Sequence, residues 1–128
     1  MTRKRIFLVL RIIIALILIQ TLRFKFTAHP DSVYIFETAG LEPYGRIGTG
    51  IVELIAGILI LIPRTIWLGA SLTLGVLAGA IFTHLTRLGI EVNQDGGLLF
   101  ITAVVTFVMA AIVFLNHWRD IPGIKKKI

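Results

Sequence analysis

Four long apolar runs, each close to a bilayer in length, constrain the fold of this chain more than any other feature. A helix needs about 20 apolar residues to cross the hydrocarbon core of a membrane. Open strands would leave backbone groups unpaired in lipid, so such runs fold as helices. We therefore predict an all-α fold, an integral membrane four-helix antiparallel bundle that forms a single domain over residues 1–128. The predicted spans cover residues 6–22, 44–62, 66–85 and 98–116.

Composition agrees with a membrane protein and excludes several kinds of redox site. The chain is 56% hydrophobic and only 16% charged, with a mean hydropathy of +0.91, whereas soluble domains are about 25% charged. It contains no cysteine. Disulfides, thiolate metal sites, iron–sulfur clusters and covalently attached haem are therefore excluded. A membrane thiol–disulfide oxidoreductase is excluded for the same reason.

The net charge of +6 is placed as in a protein that orients itself in a membrane. Eight basic residues lie at the two termini and in the 63–65 turn: Arg3, Lys4, Arg5, Arg64, Arg119, Lys125, Lys126 and Lys127. The other two loops contain Arg23, Lys25 and Arg87 together with the acids Asp31, Glu37, Glu42, Glu91 and Asp95. The positive-inside rule then places both termini in the cytoplasm. Because the charge flanks the apolar runs, we expect contact with the lipid bilayer and no nucleic acid.

The loop after the first span contains an amphipathic segment, PDSVYIFETAG. It starts at Asp31 and Ser32, carries an apolar stripe of Val33, Phe36 and Ala39, and stops at Gly40. This pattern predicts a short amphipathic helix in the first outer loop. We expect it to cover part of the mouth of the bundle; the alternative is that it rests on lipid headgroups.

Small residues recur every four positions in the third span: Ser71, Gly75, Gly79 and Thr83. Such stripes let helix backbones approach closely in lipid, which offers no hydrophobic drive for association. The first interpretation is packing inside the bundle, with Gly50 and Gly57 doing the same in the second span. The second interpretation is a homodimer through Gly75 and Gly79.

Charged side chains inside the spans need an explanation, since each costs roughly 2.5–3.5 kcal/mol at the centre of a bilayer. Glu53 lies halfway along the second span. Arg11 enters the membrane from the other direction and comes within about one helical turn of the same depth. We predict an ion pair between Arg11 and Glu53. It either fixes helix register alone or provides a functional carboxylate.

A group of polar residues is expected near the outer ends of the spans. Gln20 and Lys25 end the first span, Arg46 begins the second, and His84 lies near the end of the third. The candidate polar site is therefore Glu53, Arg46, His84, Arg11, Lys25 and Gln20. No metal site is predicted, because His84 and His117 lie at opposite sides of the membrane. His29 is in the outer loop, and its spacing does not indicate a shared metal either.

One combination of residues resembles the DoxX family of four-span bacterial membrane proteins. It comprises a basic start, Arg11 in the first span, Lys25 just after it, and GIVE at Gly50–Glu53. The segments ELIAGILILIP and GAIFTHLTRLGIEV are also similar to the family's second and third spans, and the resemblance covers roughly residues 5–117. It implies a four-helix protein of the bacterial cytoplasmic (inner) membrane. Some relatives belong to quinone-linked sulfur oxidation or to membrane complexes associated with oxidative stress.

Three functions are compatible with this pattern. The first is a small subunit or accessory of a membrane redox process, with quinone as a possible cofactor and a separate redox partner subunit. Its outward-facing site would bind a quinone headgroup or a small anion, with Arg46 and His84 as donors and Glu53 for proton transfer. The second is a proton-coupled small-molecule transporter that uses Glu53, although the strong charge bias and Arg11 disfavour it. The third is a membrane scaffold without a ligand.

Overall fold

The chain folds into five α-helices in the computed structural model, which describes residues 2–27, 29–42, 44–90 and 96–121. The helices are α1 (Arg3–Phe26), α2 (Pro30–Thr38), α3 (Tyr44–Leu61), α4 (Ile66–Thr83) and α5 (Leu98–His117). All of them except α2 are long and apolar enough to cross a membrane. Each of these four coincides with a predicted span, which confirms the all-α membrane bundle. Glu91, Asp95 and the lysines at 125–127 lie outside the described residues.

The four long helices form a ring in which consecutive helices are neighbours. α1 packs on α3, α3 on α4 and α4 on α5, and a smaller contact between α1 and α5 closes the ring. Arg3 at the start of α1 donates a hydrogen bond to Asn116 near the end of α5. The beginning of α1 and the end of α5 therefore share one end of the bundle, here called the terminal end. The short helix α2 lies at the opposite end, here called the α2 end.

An apolar core fills the half of the bundle nearer the terminal end. Its buried members are Ile14, Ala15, Leu18, Ala56, Ile60, Ile66, Ala70, Ala110 and Val113. The outward faces of the same helices are apolar as well, since Leu16, Ile58 and Leu115 are all more than half exposed. A bundle that is apolar both inside and outside is suited to lipid rather than to water.

Gly69 marks the closest approach of α3 and α4. A Cβ atom at this position would lie 2.5 Å from the backbone nitrogen of Ile60 and 2.9 Å from the carbonyl oxygen of Ala56. Only a glycine fits there, because both atoms belong to the backbone of the neighbouring helix. The short turn at Pro63–Thr65 joins the two helices just beyond this contact.

Two helix ends position the elements around the α2 end. The predicted amphipathic helix is confirmed as α2, with Pro30 in its first turn and Gly40 at a φ of 76° just after it. Helix α4 continues into a π-helical turn over His84–Leu88, which stops at Gly89 with a φ of 78°. Glycine tolerates this left-handed conformation without steric cost.

Candidate functional site

The half of the bundle nearer α2 contains a cavity of about 360 Å³. Helices α1, α3, α4 and α5 form its walls, and α2 covers it with Ile35, Phe36 and Ala39. The prediction that the amphipathic helix covers the mouth of the bundle is thus confirmed. Most of the lining is apolar. The polar side chains along it are Thr21, Lys25, Thr49, Glu53, Thr83, His84, Thr102 and Thr106.

The central charged group of the cavity is an ion pair between α1 and α3. Lys25 Nζ lies 2.9 Å from Glu53 Oε1, and the Thr21 hydroxyl donates a hydrogen bond to Glu53 Oε2. Thr21 and Lys25 are four residues apart on α1, so they share one face of that helix. Glu53 is only 3% exposed, and a buried carboxylate requires this kind of paired and hydrogen-bonded environment.

The predicted partner of Glu53 is wrong. Arg11 instead donates from Nε to the carbonyl oxygen of Ile60 at 2.8 Å and from Nη2 to that of Leu61 at 3.0 Å. These carbonyls belong to the last turn of α3, where the helix has no internal donors for them. Glu53 lies seven residues earlier, about 10 Å away along the axis. Arg11 therefore caps a helix end.

Lys25, and not Arg11, pairs with Glu53, because α1 is longer than its apolar run. The predicted span stops at residue 22, whereas α1 continues to Phe26. Lys25 is thereby held on a helix face directed at α3 rather than in a loop. The helical extension brings an ammonium group to the level of Glu53, which the sequence places at mid-span.

Arg46 anchors the position of Lys25 without lining the cavity. Its Nε donates to both carboxylate oxygens of Glu42, at 2.9 and 3.0 Å, and its Nη1 donates to the backbone carbonyl of Lys25. Its guanidinium thus joins the end of α1 to the start of α3. Arg46 is 7% exposed and is absent from the cavity-lining residues. The prediction that it acts as a donor inside the site is therefore not supported.

His84 contributes an acceptor to the cavity. It is 4% exposed, its Nδ1 lies 3.0 Å from the carbonyl oxygen of Gly89, and its ring meets the edge of Phe100. A carbonyl oxygen only accepts, so Nδ1 carries a proton and donates it to Gly89; when the ring is neutral, Nε2 is an acceptor. His84 also begins the π-helical turn, a feature that is frequent at functional sites.

The structure thus brings together half of the predicted polar site. Lys25, Glu53 and His84 line one cavity, and Arg46 touches it only through the backbone of Lys25. Arg11 lies toward the terminal end. Gln20 is exposed on the outside of α1.

Sequence reasoning missed the threonines of the cavity wall. Thr102 and Thr106 on α5 each donate to the carbonyl four residues earlier, at 2.8 Å, which satisfies their hydroxyls inside an apolar helix. Their spacing of four residues places them on one face of α5. This spacing was the available signal, and it indicated which face of α5 turns inward.

The small-residue stripe of α4 opens space instead of filling it. Apart from the adjoining backbone of α4, no atom of the described chain lies within 4 Å of a Cβ built on Gly75 or Gly79, and both glycines line the cavity. The interpretation as intramolecular packing is wrong at these two positions. It is confirmed at Gly50, where a Cβ would lie 2.6 Å from the ring of Phe26.

Comparison with known proteins identifies a family. The model of the DoxX family matches residues 6–86, which include Lys25, Glu53 and His84. The expected resemblance extended to residue 117, so the α5 wall lies outside the matched region. Neither a curated protein nor a solved structure matches the chain.

Proposed function

This chain belongs to the DoxX family of membrane proteins, and on that premise we propose that its cavity binds the polar headgroup of a lipophilic molecule of the quinone class. The observation that carries the proposal is the Lys25–Glu53 ion pair on the wall of a largely apolar cavity. Small-molecule sites are typically apolar clefts in which a few polar groups fix the orientation of the ligand. A cavity of about 360 Å³ is within the usual range for such sites.

The polar groups match both oxidation states of a quinone. The Lys25 ammonium has three N–H donors, so it can bond to a quinone carbonyl while it remains paired with Glu53. Glu53 and His84 Nε2 are acceptors for the hydroxyl groups of a quinol. Either acceptor can also take the proton that a quinol releases. Glu53 offsets the charge of Lys25, which favours a neutral headgroup over the small anion that the sequence left open.

The biological setting follows from charge and chemistry. We place the protein in the bacterial cytoplasmic membrane, with the terminal end in the cytoplasm, because basic residues flank the spans on that side: Arg3, Lys4, Arg5, Arg64 and Arg119. Turnover of a quinone needs an electron donor or acceptor, and the chain has no cysteine to bind an iron–sulfur cluster. A redox partner subunit is therefore part of the proposal.

The alternatives fit the geometry less well. A proton-coupled transporter that uses Glu53 needs access from both sides, and the core cluster fills the terminal half of the bundle. A scaffold without a ligand has no need of a cavity at the centre of its polar residues. The homodimer through Gly75 and Gly79 stays a prediction, and a second copy seated there would occupy the space proposed for the ligand.

Binding of a short-chain benzoquinone to the purified protein in lipid nanodiscs tests the proposal. The variant Lys25→Met/Glu53→Leu removes the polar pair without leaving an unpaired charge. We expect it to lower the affinity for the quinone at least tenfold, since a hydrogen bond to a charged group contributes about 1.5–3 kcal/mol. The matched control is Gln20→Leu, which changes an exposed side chain of α1 and leaves the affinity unaltered. Equal affinity of the double variant and the wild type would refute the proposal.

A further inference from the structure

We infer that the ligand reaches the cavity sideways from the lipid, through a seam between α1 and α5. The seam is defined by residues that line the cavity on either side: Ile17 and Thr21 of α1, and Leu99, Thr102 and Thr106 of α5. The inference rests on the proposed function for the identity of the ligand. The opening itself is a property of the protein and can be tested without any ligand.

Among the described residues, the cover of the cavity at the α2 end is apolar. The residues that α2 contributes to the lining are Ile35, Phe36 and Ala39, all of them apolar. Leu41 and Phe24 extend this apolar cover. Beside it, the contacts of Arg46 with Glu42 and with the carbonyl of Lys25 join α1 to α3. A water-soluble solute therefore finds an apolar, tethered cover within the described part of the chain.

The terminal end is closed by packing. Ile14 and Leu18 of α1 meet Ala56 and Ile60 of α3 in the buried core, and Val113 of α5 belongs to the same cluster. These side chains are at most 1% exposed. Close packing of this kind leaves no passage for a molecule of the size of a quinone headgroup.

The ring of helices is weakest between α1 and α5. Of the neighbouring pairs in the ring, this pair has the least contact. Its hydrogen bond between Arg3 and Asn116 and its ring contact between Phe7 and His117, with centroids 6.4 Å apart, both lie at the terminal end. Closer to α2 the two helices border the cavity instead.

Two glycines of α4 leave space in the part of the cavity that lies behind the seam. Gly75 and Gly79 of α4 line the cavity, and a Cβ on either would have no described atom within 4 Å apart from the adjoining backbone of α4. A headgroup at Lys25 and Glu53 can therefore occupy the cavity while its hydrocarbon tail leaves through the seam into the bilayer. This arrangement selects a lipophilic ligand with a small neutral headgroup.

Spin-label accessibility measures the opening directly. The chain has no cysteine, so Gly79→Cys gives a single labelling position in the cavity. Relaxation of the label by oxygen, which concentrates in lipid, is compared with relaxation by a water-soluble nickel chelate. Ile58→Cys, 53% exposed at mid-helix, is the lipid reference, and Tyr44→Cys, 86% exposed at the start of α3, is the aqueous reference.

We expect the label at position 79 to behave like that at position 58, with an oxygen-to-nickel ratio several-fold above that at position 44. A label at Thr102→Cys, a partly exposed position on the seam itself, should give the same result if the substitution at Gly79 disturbs folding. Relaxation by nickel as at position 44, or by neither reagent, overturns the inference.

A second variant assigns the opening to the seam. Ile17→Trp narrows it and should lower the oxygen effect at position 79, whereas Ile13→Trp, one turn away on α1, should not. An oxygen effect that is unchanged by Ile17→Trp contradicts the route. Failure of quinone binding alongside a lipid-like label would overturn the proposed function and leave the lateral opening in place.

Discussion

At the scale of single residues, the main feature is how the buried carboxylate of Glu53 is stabilised in the middle of a span. The ammonium group of Lys25 lies 2.9 Å from the carboxylate of Glu53, and the hydroxyl group of Thr21 donates a hydrogen bond to it. Both side chains come from one face of α1. Such a pair offsets its own desolvation only while both partners are present. Lys25 and Glu53 are therefore expected to act as a unit in stability as well as in binding.

The energetic coupling of this pair is the first prediction at this scale. Lys25→Met leaves Glu53 buried without its cation and should lower the free energy of unfolding by about 3–5 kcal/mol. Lys25→Met/Glu53→Leu should recover most of this loss, because no buried charge remains. Denaturant unfolding in detergent micelles measures Lys25→Met, Glu53→Leu and the double variant. If the losses of the two single variants simply add in the double variant, the pair does not act as a unit.

Sequence reasoning reached Glu53 but not its partner, for a physical reason. A carboxylate in the middle of an apolar run must be buried, and that conclusion needs no structure. Choosing between Arg11 and Lys25 depends on where α1 ends. An apolar pattern shows how far a helix lies in lipid, and it does not show that the polar residues up to Phe26 remain helical. His84 was predicted near the end of the third span, and only the structure shows its contact with the carbonyl oxygen of Gly89.

At the scale of elements, two glycines of α4 have opposite roles. Gly69 lies against the backbone of α3, with 2.5 Å between its Cβ position and the nitrogen of Ile60. Gly79 lines the cavity, with no described atom within 4 Å of its Cβ position apart from the adjoining backbone of α4. One position permits close packing of two helices, and the other preserves empty space. Gly79 belongs to the stripe of small residues that recurs every four positions, whereas Gly69 lies outside that stripe. The stripe identifies one face of α4, and it does not show what lies opposite that face.

A matched pair of substitutions tests this distinction. Gly79→Ala should raise the free energy of unfolding by about 0.5–1 kcal/mol, because alanine is the better helix former and the space is free. Gly69→Ala should lower it by about 1–3 kcal/mol, because the added methyl group collides with backbone atoms. Thermal unfolding of both variants in the same detergent gives the comparison. Equal effects at the two positions would show that the α3–α4 contact is misplaced.

At the scale of the whole molecule, one half of the bundle has a packed core and the other half contains a cavity. The core cluster fills the terminal half, and the cavity with Lys25, Glu53 and His84 occupies the half beneath α2. The number of spans, the all-α class and the covering helix α2 were all predictable, because each depends on local hydropathy and helix-stop residues. The cavity was not, because it depends on the distances between four helices, which sequence periodicity does not record.

We propose that this cavity binds a lipophilic headgroup at the Lys25–Glu53 pair. Photo-labelling of the protein in liposomes tests this binding. The reagent is a benzoquinone with an azide on its ring, and labelled peptides are identified by mass spectrometry. We predict adducts on cavity-lining residues that excess unmodified quinone suppresses and that fall at least tenfold in Lys25→Met/Glu53→Leu, in line with the loss of a charged hydrogen bond. Adducts confined to lipid-facing side chains such as Leu16 and Ile58, and insensitive to the competitor, would contradict the claim.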